Sequence, residues 1–300
     1  MKYRVEERGI HYYDRVSGYH LLVDEVRPPA RLLTKAPSLV SIALTNVCDL
    51  ACAFCYAPKT KDYLPVELIT DWCAQFDELG TFEIAFGGGE PTLHPGLVEL
   101  CKRVWSETKL GISITTHGQR LDADICRALA GNISVVRVSV DGVTDTYSAI
   151  RGRSFSTIET NLTTALRYFP VAVNTVVNAT TLPRLPELAE FLRRLGVCDW
   201  LLLPETNEGV FKLTSDHWTW LDAFVQEHSH HFQLGVTYEA RPFLPDSPFL
   251  FEDEPEHDYV HISADGFLRQ SSYGRGGVKL EGISIVTALD RLASSLIYSE

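Results

Sequence analysis

Residues 38–55 read "SLVSIALTNVCDLACAFC", and this stretch decides the fold. Its first part, "SLVSIALT" (38–45), has the short apolar run of a buried strand. The loop that follows holds three cysteines, Cys48, Cys52 and Cys55, with three residues in the first gap and two in the second. A strand that runs straight into such a loop puts the thiols at its carboxyl end. In parallel α/β sheets and barrels, ligands bind at that end.

Outward from this stretch the same alternation repeats. "PVELITDWCAQFDEL" (65–79) sets Ile69, Trp72, Cys73, Phe76 and Leu79 on one helical stripe. "FEIAFGGG" (82–89) is a strand running into glycines, and 95–108 is a helix. Strands at 110–118, 133–142, 171–178 and 199–205 alternate with helices at 122–130, 155–168 and 183–196. Six βα units in order imply parallel strands with right-handed crossovers. The expected architecture is α/β, either an open doubly wound sheet or a partial barrel. After residue 214 the rhythm breaks. A helix at 214–229 leads to a Pro- and acid-rich loop. Then "DYVHISADGFLRQ" (258–270) forms a hairpin turning at Asp265-Gly266, and a short helix follows near 284–293.

Bulk properties narrow the function. At 300 residues, 45% hydrophobic and 22% charged, the chain can bury a substantial core and stay soluble. No apolar run approaches the roughly 20 residues that span a bilayer, and the start lacks the apolar centre of a secretion signal. The expectation is a cytoplasmic protein whose thiols stay reduced. Seven cysteines, an odd number, argue against a closed disulfide framework. A net charge of −12 disfavours long nucleic acid as a partner. From Glu239 to Asp265 there are eight acidic residues against one basic residue, Arg241, which reads as a solvated loop or, functionally, as a rim that attracts a basic substrate.

Polar residues and glycines gather at the carboxyl end of every strand. They are Thr45 and Asn46, then Gly87 to Glu90, Thr115 to Gly118, Ser139 with Asp141, Asn178, and Pro204-Glu205. Six such clusters on one rim suit a large polar ligand lying across it. A structural zinc site wants four N or S ligands, and only one cysteine knuckle is present. A cubane iron–sulfur cluster on three thiolates leaves one iron open. Glycines permit close backbone approach, and Glu90 offers a carboxylate to an ammonium group. Cys73, Cys101 and Cys126 lie on apolar helical stripes and read as core, and Cys198 as structural.

"CDLACAFCY" followed by "FGGGEP" at the next strand end resembles the radical S-adenosylmethionine (SAM) superfamily, over roughly residues 38–205. The resemblance implies a partial (β/α)6 TIM-like barrel. It makes Cys48, Cys52 and Cys55 the ligands of a single [4Fe-4S] cluster, with SAM on the unique iron. It places Tyr56 near the adenine, Gly88, Gly89 and Glu90 at the methionine amino group, and Ser139 and Asp141 near the ribose. Arg151, in "YSAIRGRSF", matches an arginine of the peptide-modifying branch that contacts the SAM carboxylate. Asn178 is expected to reach the ribose and Leu203 the adenine. "TTHG" (115–118) stands where Thr-Asn-Gly is common, so His117 is a departure and carries no assigned contact.

The implied chemistry is reductive cleavage of SAM to a 5′-deoxyadenosyl radical, which takes hydrogen from a C–H bond of a peptide or amino-acid-like substrate. The electron would come from a donor such as flavodoxin or ferredoxin. Two other readings stay open: a nucleotide- or sugar-modifying enzyme of the viperin type, and a cluster-binding sensor that never cleaves SAM.

The tail, "HISADGFLRQSSYGRGG" (261–277), resembles the hairpin of the SPASM and twitch branches, with Ser271 and Ser272 where auxiliary-cluster cysteines stand. The implied division is an N-terminal extension (1–37), too short for a winged leader-peptide domain, a barrel core (38–232) and a cap without an auxiliary cluster (233–300). Tyr273, as a hydrogen donor, and Glu205, as a substrate contact, are the candidate catalytic residues.

Overall fold

Six central strands lie side by side in the order in which the chain presents them. A computed structural model describes residues 1–197, 199–207, 209–247, 259–274 and 276–297. β1 (Lys2–Glu6), β2 (Gly9–Asp14) and β3 (Tyr19–Val23) form an antiparallel meander. The core then runs β4 (Leu39–Thr45), α1 (Val66–Leu79), β5 (Glu83–Gly88), α2 (Leu97–Glu107), β6 (Gly111–Thr116), α3 (Ala123–Leu129) and β7 (Val135–Ser139). It continues with α4 (Thr144–Arg151), α5 (Phe155–Ala165), β8 (Val171–Val177), α6 (Leu185–Leu195) and β9 (Asp199–Pro204). A two-stranded ribbon, β10 (Thr206–Asn207) and β11 (Val210–Phe211), precedes α7 (Ser215–His228) and β12 (Gln233–Val236). The C-terminal elements are β13 (Tyr259–Ile262), β14 (Phe267–Arg269), β15 (Val278–Lys279) and α8 (Ile285–Ile297).

Period-two alternation explains how the sheet is clothed. Val40, Ile42 and Leu44 of β4, Ile84 and Phe86 of β5, and Ile112 and Ile114 of β6 join one apolar core with Ile69, Phe76, Leu100 and Val104 of the helices. Cys73, Cys101 and Cys126 are fully buried in that core. Cys198 lies outside the described residues. The opposite sheet face carries small or polar side chains, among them Ser41, Ala43, Ser113, Arg137 and Asn174. That face forms the concave interior.

The six expected parallel strands are present in the expected order, and two more join them. β12 pairs parallel with β9 through a crossover over α7, and β13 pairs parallel with β4 at the other edge. The sheet order β12-β9-β8-β7-β6-β5-β4-β13-β14-β15 does not close into a barrel among the described residues. The hairpin read from "DYVHISADGFLRQ" therefore continues the main sheet through its first strand, and the sheet runs across residue 232. β12 escaped the periodicity because it has four residues, too few to display a pattern; β13 was expected as a hairpin strand, and only its pairing with β4, a contact distant in sequence, was not. Much of the acid-rich stretch, 248–258, lies outside the described residues.

The meander, which was read only as an extension, docks at the amino ends of the strands. The buried Tyr13 hydroxyl donates to Glu83 Oε1 at 2.8 Å. A Cβ at Gly111 would fall 2.1 Å from the Tyr13 hydroxyl oxygen, so only glycine admits that ring. Nearby, Arg137 makes a two-pronged pair with Asp199 at 2.7 and 3.1 Å. Burial pushes the Glu83 carboxyl above its ordinary value, with Tyr13 and Arg137 working against it. A raised folded-state pKa favours the protonated fold, so this contribution is present below the ordinary carboxyl range and is lost as pH rises through the raised value. Glu83→Gln is expected to flatten the pH dependence of Tm above pH 4 and to raise Tm at pH 7. Thermal melts across that range check it.

Candidate active site

The loop after β4 leaves and returns to the same strand end. Thr45 Oγ1 donates to the Asp62 carbonyl at 2.8 Å and the Asn46 amide donates to the same oxygen at 3.1 Å, closing the loop at its neck. Within it, Cys48, Cys52 and Cys55 are free thiols. Each sulfur accepts one N–H. Leu50 N donates to Cys48 at 3.4 Å, Arg151 Nη1 to Cys52 at 3.5 Å, and Lys59 Nζ to Cys55 at 3.3 Å. Burial holds the Cys48 thiol above its ordinary pKa; the Leu50 amide opposes this and the Glu90 carboxylate adds to it.

The loop after β5 is laced to this one. Gly89 N donates to Thr45 O at 2.7 Å and Glu90 N to Val47 O at 2.8 Å. Gly88 has φ +113°, and a Cβ at Gly88 or Gly89 would come within 2.3 Å of the Thr45 or Val47 carbonyl, respectively. These two glycines are thus demanded by loop-on-loop packing. Gly87 differs: a Cβ there would meet nothing nearer than 3.9 Å, so its missing side chain leaves open space on the concave face.

Glu90 is fully buried. Its Oε1 accepts from Thr92 N (3.0 Å), Thr92 Oγ1 (2.6 Å) and Thr116 Oγ1 (2.7 Å), and its Oε2 from His117 N (2.9 Å). The His117 ring completes the arrangement. Gln119 N donates to its Nδ1 at 3.1 Å, which leaves the proton on Nε2. That nitrogen lies 2.8 Å from Asp49 Oδ1 and 3.3 Å from Glu90 Oε2. His117, unassigned from the sequence, therefore ties the Glu90 loop to the residue beside Cys48. Its only sequence signal was that it stands where asparagine is common.

On the next strands, the sequence grouped Asp141 with Ser139, whereas the structure commits Asp141 to Arg151. Asp141 Oδ2 accepts from Arg151 Nε at 2.5 Å and Oδ1 from Val176 N at 2.9 Å. Arg151 thus bridges a buried carboxylate and the Cys52 sulfur, with its guanidinium over the Phe54 ring at 5.4 Å. Ser139 ends β7 opposite Asn174, and Leu203 lies in β9 opposite Val176. Asn178 Nδ2 donates to Glu205 Oε2 at 2.8 Å, and Glu205 also pairs with Lys212. Among the described residues no hydrogen bond or ion pair joins this Glu205 group to the cysteine loop. Tyr273, from the tail, does reach that loop: its ring sits 4.4 Å from the Tyr56 ring, centroid to centroid.

Residues 42–195 match the sequence profile of the Radical SAM superfamily. The chain belongs to the radical SAM superfamily. It is 31% identical over 154 residues to the sporulation killing factor maturation protein SkfB of Bacillus subtilis, covering 49% of this chain and 37% of that protein. It is likewise 31% identical over 170 residues to the mycofactocin maturase MftC of Mycobacterium tuberculosis, covering 54% and 43%. The chain thus spans less than half the length of these curated relatives. Its fold is that of Streptococcus suis SuiB, solved bound to the precursor peptide SuiA, with a TM-score of 0.78 at 13% identity over 98% of this chain and 88% of that one.

Radical SAM proteins use a [4Fe-4S] cluster and SAM, and the residues here suit both. Three thiols each receive an N–H, two from cationic side chains, as a negatively charged iron–sulfur centre requires. The bare face at Gly87 leaves room beside Glu90.

Proposed function

We propose that this protein is a radical SAM enzyme with one cluster, held by Cys48, Cys52 and Cys55, acting on a C–H bond of a peptide or amino-acid-like substrate. The observation behind this reading is the lacing of the cysteine loop to the Glu90 loop, which sets the loop that carries three N–H-bonded thiols against one that ends in a buried carboxylate. When bound, the cofactor pair supplies reductive cleavage of SAM and, from it, hydrogen abstraction. The chain's own residues hold and shield. Arg151 and Lys59 place positive charge on two of the sulfurs, and Asp141 keeps Arg151 aimed at Cys52. Gly87 to Glu90 receive the ammonium end of SAM. Tyr56 and Tyr273 pack ring against ring, and Tyr273 is the hydrogen-atom donor in this reading. Asn178, Ser139 and Leu203 line the remaining rim for the nucleoside, and Glu205 faces the substrate.

The peptide class rests on the relatives, two of which are named for maturation of a killing factor and of mycofactocin. No cysteine stands between Cys198 and Glu300, and Ser271 and Ser272 stand in the hairpin segment, so that segment offers no thiolate to a second cluster. A flavodoxin- or ferredoxin-type donor would deliver the electron in a reducing cytoplasm. Among the described residues, no helix is long and apolar enough to cross a membrane.

Anaerobic reconstitution should give about four irons per chain, and reductant with SAM should give 5′-deoxyadenosine. About eight irons would sink the single-cluster reading. No 5′-deoxyadenosine, with substrate supplied, would sink the enzyme reading in favour of a cluster-binding sensor. Glu90→Gln turns one acceptor into a donor facing donors, at a cost of about 1–3 kcal/mol. It should weaken SAM binding by about tenfold or more, through loss of a charged acceptor, while iron content holds. Equilibrium dialysis with SAM and an iron assay check both halves.

A further inference from the structure

Between the strand rim and the C-terminal hairpin lies a cavity of about 120 Å³. Asn46, Gly88 and Asp62 line one side of it, and His261, Asp265 and Arg269 the other. Each carboxylate in this lining already accepts a close hydrogen bond. Asp62 Oδ2 takes Asn46 Nδ2 at 3.1 Å and also the Thr60 hydroxyl. Asp265 Oδ1 takes the Ser263 hydroxyl.

The guanidinium and the imidazole are held less closely. Arg269 Nε is buried and without a hydrogen-bond partner. The remaining contacts of that guanidinium are long, 3.3 Å to the Gly274 carbonyl and 3.5 Å to each Asp265 oxygen. His261 Nδ1 is bonded to Ser41 Oγ at 2.6 Å, and Ser41 Oγ is also 2.6 Å from the Tyr259 hydroxyl. In the tautomer in which Ser41 donates to Nδ1, the ring proton sits on Nε2, which makes no hydrogen bond among the described residues. Burial, together with the nearby Arg269, holds this imidazole down to about 4, so it is neutral at pH 7.

A cavity lined by a loosely held guanidinium, an imidazole and carboxylates that already have partners suits a ligand rich in acceptors. We infer that this cavity is a subsite for a carboxylate of the substrate, gripped by Arg269 and His261. Gly88 belongs both to this lining and to the loop that ends in Glu90, so a substrate anchored here lies against the proposed SAM site. The assignment rests on the reading of the chain as an enzyme for peptides or amino acids. It sharpens that reading to substrates carrying a side-chain or C-terminal carboxylate near the reacting residue.

Calorimetry on the cluster-loaded protein with SAM present tests it without requiring turnover. Three probes are titrated: N-acetyl-L-glutamate α-amide, with only the side-chain carboxylate; N-acetyl-L-glutamine, with only the α-carboxylate; and N-acetyl-L-glutamine amide, with neither. Saturable binding of one or both anions, at least about tenfold tighter than the neutral compound, is the expected result. The preferred anion tells side chain from C-terminus. Arg269→Gln and Arg269→Lys should each weaken that anion about tenfold, since neither keeps the forked guanidinium. Iron content and SAM affinity report whether each variant is folded, and the lysine variant serves if the glutamine one is not. Equal binding of the neutral probe, undiminished binding in a folded Arg269 variant, or no saturable binding overturns the assignment. Failure of the enzyme reading shows separately, as absence of 5′-deoxyadenosine.

Discussion

Cys52→Ala is expected to fold normally and to lose the cluster. Its sulfur sits on a loop, away from the apolar core, and its hydrogen-bond partner among the described residues is Arg151 Nη1 at 3.5 Å. Arg151 keeps Asp141 as its counter-charge in the variant, so little stability is at stake. The chemistry is another matter. Two thiolates in place of three leave a cubane without a closed attachment. Iron should drop from about four per chain to near zero. Formation of 5′-deoxyadenosine should fall by more than the roughly 10–100-fold that follows loss of an outer-shell partner. Iron and product assays, with circular dichroism as the folding control, measure it. A variant that kept four irons and full product formation would remove Cys52 from the ligand set.

Asp141→Ala should give the largest loss of stability. The Asp141 carboxylate is fully buried and the Arg151 side chain is 8% exposed. Removing the carboxylate strands a buried guanidinium and leaves the Val176 amide without its acceptor. Breaking a buried pair from one side costs about 3–5 kcal/mol. Urea unfolding should show that loss as a lower midpoint at similar slope. Replacing both partners, Asp141→Leu with Arg151→Met, should recover much of the stability, because apolar replacement of both charges avoids the stranded one. It should not recover cluster assembly, since the cation beside Cys52 is gone. A single variant within 1 kcal/mol of the parent would mean that water reaches the pair.

These two variants probe different levels of what the chain encodes. The cysteines were legible from spacing alone, because three thiols within eight residues can meet on one loop however the rest folds. The same holds for the six strands and their helices. Each is a local pattern, and a parallel order follows from alternation with right-handed crossovers. The departure at His117 was visible as a residue type but had no readable role. Its partners, Asp49 and Glu90, lie 68 and 27 positions away in the chain, on two other loops.

What the sequence determined by itself was the period of each element and the composition of each strand end, and with them the family and the rim on which its chemistry sits. The tertiary structure alone decided which rim residues spend their charge on one another. Asp141 was claimed by Arg151, and Tyr13 closed the floor of the sheet on Glu83. Ser41 met His261 across 220 residues of chain. The physical reason is range. Periodicity reports which way a side chain faces within its own element, whereas a hydrogen bond or ion pair depends on the position of a second element, and that position is set by the packing of the whole core.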